Sequence, residues 1–129
     1  MVGWRRADDG EGSTDLAGFP LVKAHVHRRE LSVVDAVFNG QVIASSSRTI
    51  LLEGNYYFPP EHVNHEFLQR TWMKSLCPWK GVASYYHVTV DGERDRNAAW
   101  TYRHPSPLAR KIRDHIAFWG RVQITNRAV

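Results

Sequence analysis

The sequence predicts a mostly β protein, a single domain of short antiparallel strands with one or two short helical turns. Three observations predict it. Short β-prone runs recur along the chain. Two of the junctions between them are Asn39-Gly40 and Asp91-Gly92, the residue pairs that suit two-residue hairpins because both positions accept positive φ. Prolines at Pro59-Pro60, Pro105 and Pro107 remove backbone donors and stop the runs they follow.

The elements follow in order. Residues 1–22 mix Gly, Asp, Ser and Arg with little periodicity and read as a flexible N-terminal arm. Residues 23–129 form the domain. A strand through His25-Val26-His27 would place both histidines on one face. Val33–Phe38 and Gln41–Ser46 flank Asn39-Gly40 as a hairpin. Arg48–Glu53 is a third strand, Gly54-Asn55 a turn, and Tyr56–Phe58 a fourth strand ended by the proline pair. Pro60 suits the first turn of a short helical segment over Glu61–Val63. Glu66–Lys74 fits no clean period and reads as loop with a short strand. Ala83–Val90 and Asn97–Tyr102 pair across Asp91-Gly92. Ser106 is placed to cap a short helix over Pro107–His115, with Leu108 and Ile112 facing inward. Ile116–Trp119 and Val122–Ile124 are the last two strands.

The 129 residues are 43% hydrophobic and 23% charged, which suits one soluble globular core. No run approaches the roughly 20 apolar residues that span a bilayer. No secretory signal is read at Met1–Arg6, and a single cysteine forms no internal disulfide, so the expectation is a cytoplasmic protein. The net charge of +4 comes from basic residues spread along the chain, not clustered, so nucleic acid is not the expected partner.

Five segments carry a family resemblance: Ser46-Ser47-Arg48; Tyr57-Phe58-Pro59 through Val63; Cys77-Pro78-Trp79-Lys80-Gly81 through Tyr85; Ala98-Ala99-Trp100-Thr101-Tyr102 to Pro105; and Ala117-Phe118-Trp119. In this order the chain resembles the family known as domain of unknown function 427. His62 and His65 depart from its pattern, since members often carry acidic residues there. The resemblance implies a β-tent-like fold, two antiparallel sheets meeting at an angle, similar to methionine sulfoxide reductase B and the ligand-binding domain of cereblon. In several such relatives zinc pins the apex through four cysteines. This chain has one cysteine and must close that apex by packing.

The candidate chemistry centres on Cys77 to Tyr86. Cys77 reads as a nucleophile with Lys80 or His87 assisting, since a nearby cation favours a thiolate. With no resolving cysteine and no fixed base partner, the favoured reading of Cys77 is a small buried hydrophobe, as free cysteines commonly are. Five Trp, five Tyr and five Phe suggest more aromatic surface than a dry core needs. Tyr57, Tyr85, Trp100, Tyr102 and Trp119 are placed in a cleft between the sheets, with Cys77 and Lys80 in its wall and Arg48 behind as a second cation. His25/His27 and His62/His65 have ligand spacing, but no Cys or carboxylate completes a set, so no metal and no cofactor is expected. Nucleotidyl transfer would need a carboxylate pair for magnesium, and none stands out. The leading expectation is a binding domain for a small molecule or short peptide. The alternatives are an enzyme using Cys77 in thiol or acyl chemistry, and an interaction module presenting Trp4, Trp72 and Trp119. Homo-oligomerisation is left open.

Overall fold

The computed structural model describes residues 32–128. The expected arm over residues 1–22 and the His25-Val26-His27 strand lie outside them. Nine strands are described: β1 (Ser32–Phe38), β2 (Gln41–Ser46), β3 (Ile50–Leu52), β4 (Asn55–Tyr57), β5 (Leu68–Cys77), β6 (Gly81–Val90), β7 (Glu93–Tyr102), β8 (Ile116–Phe118) and β9 (Gln123–Ala128). The described helical segments are short 3₁₀ turns at Pro60–His62, His65–Phe67 and Pro107–Ile112. The mostly β, antiparallel expectation is met, and the strands divide into three ladders: β2-β1-β9, β3-β4 and β5-β6-β7-β8.

Two-residue turns of positive φ set the local pairing. Asn39 (φ 51°) and Gly40 (φ 74°) join β1 to β2, and Asp91 (φ 49°) and Gly92 (φ 84°) join β6 to β7. A third such turn is Glu53 (φ 52°) and Gly54 (φ 81°), one residue earlier than the Gly54-Asn55 turn expected from the sequence. Asn55 instead opens β4, facing Leu52.

The ladders are stitched together. Phe58 and Ile116 exchange backbone hydrogen bonds of 2.8 and 2.9 Å, so the β3–β4 ribbon docks on the free edge of β8. Asn64 N–H donates to Ile43 O at 2.9 Å, tying the segment after the prolines to β2. Asp35, buried in β1, accepts from Ser45 Oγ at 2.6 Å and from Arg127 Nε at 2.8 Å, which holds β9 beside it. The main core packs Val34, Ala36, Phe38 and Ile43 against Phe58, Val88, Ala99 and Phe118. A second cluster contains Tyr57, Ala83, Tyr102, Ala109, Ile112 and Ala117.

Three sequence expectations fail here. Glu66–Lys74 is not a loop with a short strand: after a 3₁₀ turn at His65–Phe67, residues 68–77 form the ten-residue edge strand β5. Its register jumps between Arg70↔Tyr86 and Lys74↔Ser84, so Thr71-Trp72-Met73 bulges opposite Tyr85 and the alternation is lost. Leu108 does not face inward but is 79% exposed, and Ala109 is buried with Ile112. Ser106 does not cap this turn with its side chain; its hydroxyl donates to Trp79 O instead.

Candidate functional site

Alternation along two strands and a turn build one aromatic cleft. Trp100 and Tyr102 are two apart on β7 and share a face. Across the ladder, Trp100 faces Tyr85 of β6 on one side and Ala117 of β8 on the other, while Tyr102 faces Ala83. Large rings beside alanines leave a trough rather than a filled layer. Asn55 and Tyr57 from β4, Lys80 from the β5–β6 turn and Trp119 after β8 close it, around a cavity of about 190 Å³.

The rings meet mostly edge to face. The Tyr57 and Trp100 centroids lie 6.2 Å apart at 87°, those of Trp100 and Trp119 6.4 Å apart at 83°, and Tyr85 tilts at 39° against Trp100. Edge-to-face pairs match positive ring edges to negative faces. Trp100 Nε1 donates to the Tyr57 hydroxyl at 3.4 Å, and the Tyr85 hydroxyl lies 2.9 Å from Ser75 Oγ. Among the described residues the Tyr102 hydroxyl has no hydrogen-bond partner.

Lys80 is held in place by its backbone. Its N–H donates to Cys77 O at 3.1 Å, closing a turn over Pro78-Trp79, and its carbonyl accepts from Ser106 N–H at 2.9 Å. Gly81, at φ 119°, lies against the backbone of His104 and Pro105. The side chain therefore runs inward, only 6% exposed, with Nζ 5.2 Å from the Trp79 ring centroid and 5.8 Å from that of Tyr102. Nζ pairs with Glu53 Oε1, and Trp79 Nε1 donates to Glu53 Oε2 at 3.0 Å.

These contacts set the protonation states. Burial pulls the Lys80 ammonium down, but the Glu53 hydrogen bond and nearby Tyr102, Tyr57 and Cys77 outweigh it, so its pKa stands above the ordinary value. Hydrogen bonds from Lys80 and then Trp79 lower that of Glu53. Burial raises Tyr57 and pushes Tyr102 up to about 12. At neutral pH the site therefore offers one ammonium and protonated phenols.

Of the residues singled out from sequence, Tyr57, Lys80, Tyr85, Trp100, Tyr102 and Trp119 come together here. Arg48 does not: its guanidinium lies 3.5 Å from Glu61 and 3.1 Å from His62 Nε2, and it is not in the cleft wall. It lies in the connection between β2 and β3, outside both strands, where those two partners hold its side chain. Cys77 is half-buried against the second cluster and is also absent from the wall. His87 Nδ1 accepts from Asn97 N–H at 3.0 Å and so serves the β6–β7 bulge. His62 bonds Ser46 Oγ and Arg48, while His65 bonds Pro60 O, so the two do not converge. Among the described residues no three of His, Cys, Asp and Glu gather as a metal site, and no helix is long and apolar enough to cross a membrane.

Glu53, Asn55 and Trp79 were missed from the sequence. A carboxylate at a hairpin tip is a weak cue, and nothing in the sequence links position 53 to position 80.

No curated protein matches the chain at a significant level. Residues 26–127 match the family described as a domain of unknown function, DUF427. That span covers most of the chain, including every strand from β1 to β8 and the whole cleft, and the protein belongs to the DUF427 family.

Proposed function

We propose that the protein binds a small molecule in the aromatic cleft. The observation that carries this reading is the convergence of five aromatic side chains from four separate segments, Tyr57, Tyr85, Trp100, Tyr102 and Trp119, on a cavity whose wall also holds the buried ammonium of Lys80. Cores fill such spaces; ligand sites keep apolar walls with a few placed polar groups. Asn55, Lys80 and the Tyr102 hydroxyl supply those groups. Cys77 lies outside this wall, so thiol chemistry is not part of the reading.

The test is native mass spectrometry of protein purified from its own host, together with an NMR fragment screen on wild type and Trp100→Ala. A retained small molecule, or fragment hits weakened at least about tenfold by Trp100→Ala, supports the reading. Apo protein whose fragment hits are unaffected by Trp100→Ala overturns it.

A second reading has its own observation. Trp72 is 96% exposed and Leu76 72% exposed on β5, with Val82 beside Leu76 on β6. Exposed apolar residues grouped on an edge strand suit a protein contact. Chemical cross-linking with a Trp72→Ser, Leu76→Ser control tests it; unchanged cross-links on the double variant end it.

A further inference from the structure

We propose that the cleft takes the carboxylate of a planar aromatic acid on Lys80, and that Glu53 is the displaceable counter-ion of that lysine. The inference rests on the cleft being a binding site and specifies its ligand class.

Charge is the first argument. Among the described residues Lys80 is the one ionised side chain in the cleft wall, and it is a cation. A buried ammonium needs an anion against it, and it repels a cationic ligand that the rings alone would welcome. The aromatic wall therefore does not act as a cage for ammonium groups.

The second argument is where the present anion comes from. Glu53 reaches Lys80 from a two-residue hairpin turn and keeps half its side chain in solvent, whereas Lys80 is buried. Glu53 is not itself part of the cleft wall. The ribbon that carries it has only three residue pairs. Its carboxylate can return to water at little desolvation cost, while Lys80 cannot. An incoming carboxylate would meet the same ammonium from the cleft side and keep it paired.

Shape and hydrogen bonding are the third. A cavity of ~150 Å³ takes a benzene ring. The cleft, at about 190 Å³, has room for one ring and a carboxylate. Trp100 and Tyr85 offer ring faces and edges to a planar guest. The Tyr102 hydroxyl, without a partner among the described residues, stays protonated and can donate to the guest's second oxygen.

Benzoate and benzamide are the probes, being nearly isosteric and differing in charge. Indole N–H signals in protein NMR are the readout. Trp79 Nε1 donates to Glu53, so release of Glu53 moves the Trp79 signal, whereas filling the cleft moves Trp100 and Trp119. The expected result is that benzoate shifts all three and binds at least about tenfold more tightly than benzamide, as a charge-assisted contact implies. Benzamide shifts Trp100 and Trp119 and leaves Trp79 in place. Glu53→Gln strengthens benzoate by about two- to fivefold, the worth of a half-exposed competing ion pair, and leaves benzamide unchanged. Lys80→Met removes the preference for benzoate.

Equal binding of the two probes, or weaker benzoate binding by Glu53→Gln, overturns the inference and leaves the cleft standing as a binding site. Absence of any Trp100 or Trp119 shift with either probe, at concentrations up to saturation of solubility, overturns both. Glu53 lies at an exposed turn, so its variant reports even where Lys80→Met fails to fold.

Discussion

Gly81→Ala is predicted to destabilise the protein more than alanine at Gly54 or Gly92, the turn glycines whose added Cβ would meet nothing within 4 Å. Gly81 has φ 119°, beyond the left-handed helical well that L residues occasionally occupy. Forcing a side chain there costs about 1–3 kcal/mol. The added Cβ would also sit 3.2 Å from the carbonyl oxygen of His104 and 3.4 Å from Pro105 Cα. That backbone cannot easily yield, because Ser106 N–H is bonded to Lys80 O at 2.9 Å, one residue from the substitution. Crowding of this kind adds about 1 kcal/mol or more, for a total of about 2–4 kcal/mol. Gly92→Ala is the control: φ is 84° and nothing lies within 4 Å of its Cβ, so the cost is only the conformational one, about 1–2 kcal/mol. Urea unfolding read by tryptophan fluorescence gives both values. Each kcal/mol moves the thermal midpoint by about 4–8 °C in a domain of this size, so the two variants separate clearly. Equal costs for Gly81→Ala and Gly92→Ala would refute the claim that the turn is pressed against residues 104–106. The same variant should also weaken ligand binding in the cleft, since Lys80 is its neighbour.

Other outcomes follow from the same geometry. Phe58→Ala should cost about 3–5 kcal/mol in chemical denaturation, because Phe58 is fully buried, packs edge-on to Phe118 at 5.6 Å, and sits where the β3–β4 ribbon joins β8. Tyr102, Tyr57 and Lys80 all have raised values in the folded state, so the stability they contribute is present below their ordinary values and is lost as pH rises. Stability should therefore fall from about pH 10. The Tyr102 part is lost progressively between about pH 10 and about 12, and Tyr102→Phe should reduce the slope of urea midpoint against pH in that window. Cys77→Ala should leave binding in the cleft within about twofold of wild type, since Cys77 is not in its wall; a large loss of affinity by NMR titration would return the thiol to the site.

What the sequence makes legible here is what is encoded locally. Asn39-Gly40 and Asp91-Gly92 specify their hairpins because two adjacent residues alone determine the backbone there. The second hairpin sets β6 beside β7, but its turn register alone would put Tyr85 opposite Ala98; a bulge between Tyr86 and Val88 shifts the pairing by two residues to Tyr85↔Trp100, which builds half of the cleft. β5 is not legible, for two physical reasons. Its bulge puts three residues opposite one, which destroys the alternation, and Trp72 and Leu76 face solvent, which inverts the expected burial. Leu108 misleads in another way. Spacing of four between Leu108 and Ile112 suits an α-helix, but this segment is two short 3₁₀ turns joined by a kink at Ala109 (φ −114°, ψ 20°), so α-helical spacing does not carry through it and Ala109 and Ile112 are the buried pair. The ion pair between Lys80 and Glu53 joins residues 27 apart across two ladders, and only the docking of the ribbon on β8 brings them together.

The turn from Cys77 to Gly81 is better explained by Lys80 than by the cysteine. Every constraint on it points the lysine inward: the Cys77–Lys80 hydrogen bond, the Ser106 bonds to residues 79 and 80, and the close approach at Gly81. Yet a buried lysine is a poor way to stabilise a fold. Replacing a buried ion pair by apolar groups of similar volume is often neutral or stabilising, and removing one partner is costly only where the other charge stays buried; here the partner left behind, Glu53, keeps half its side chain in solvent. Met is close to Lys in length and adapts to irregular spaces. Lys80→Met should therefore unfold at a midpoint equal to or above wild type, while Lys80→Ala, which leaves a void among Trp79, Tyr102 and Tyr57, should unfold below it. Differential scanning calorimetry of the two variants separates the cases. A midpoint for Lys80→Met that falls as far as that of Lys80→Ala would make the ammonium itself structural. A midpoint that holds means the fold does not need the charge, which is what the proposed binding role of Lys80 requires.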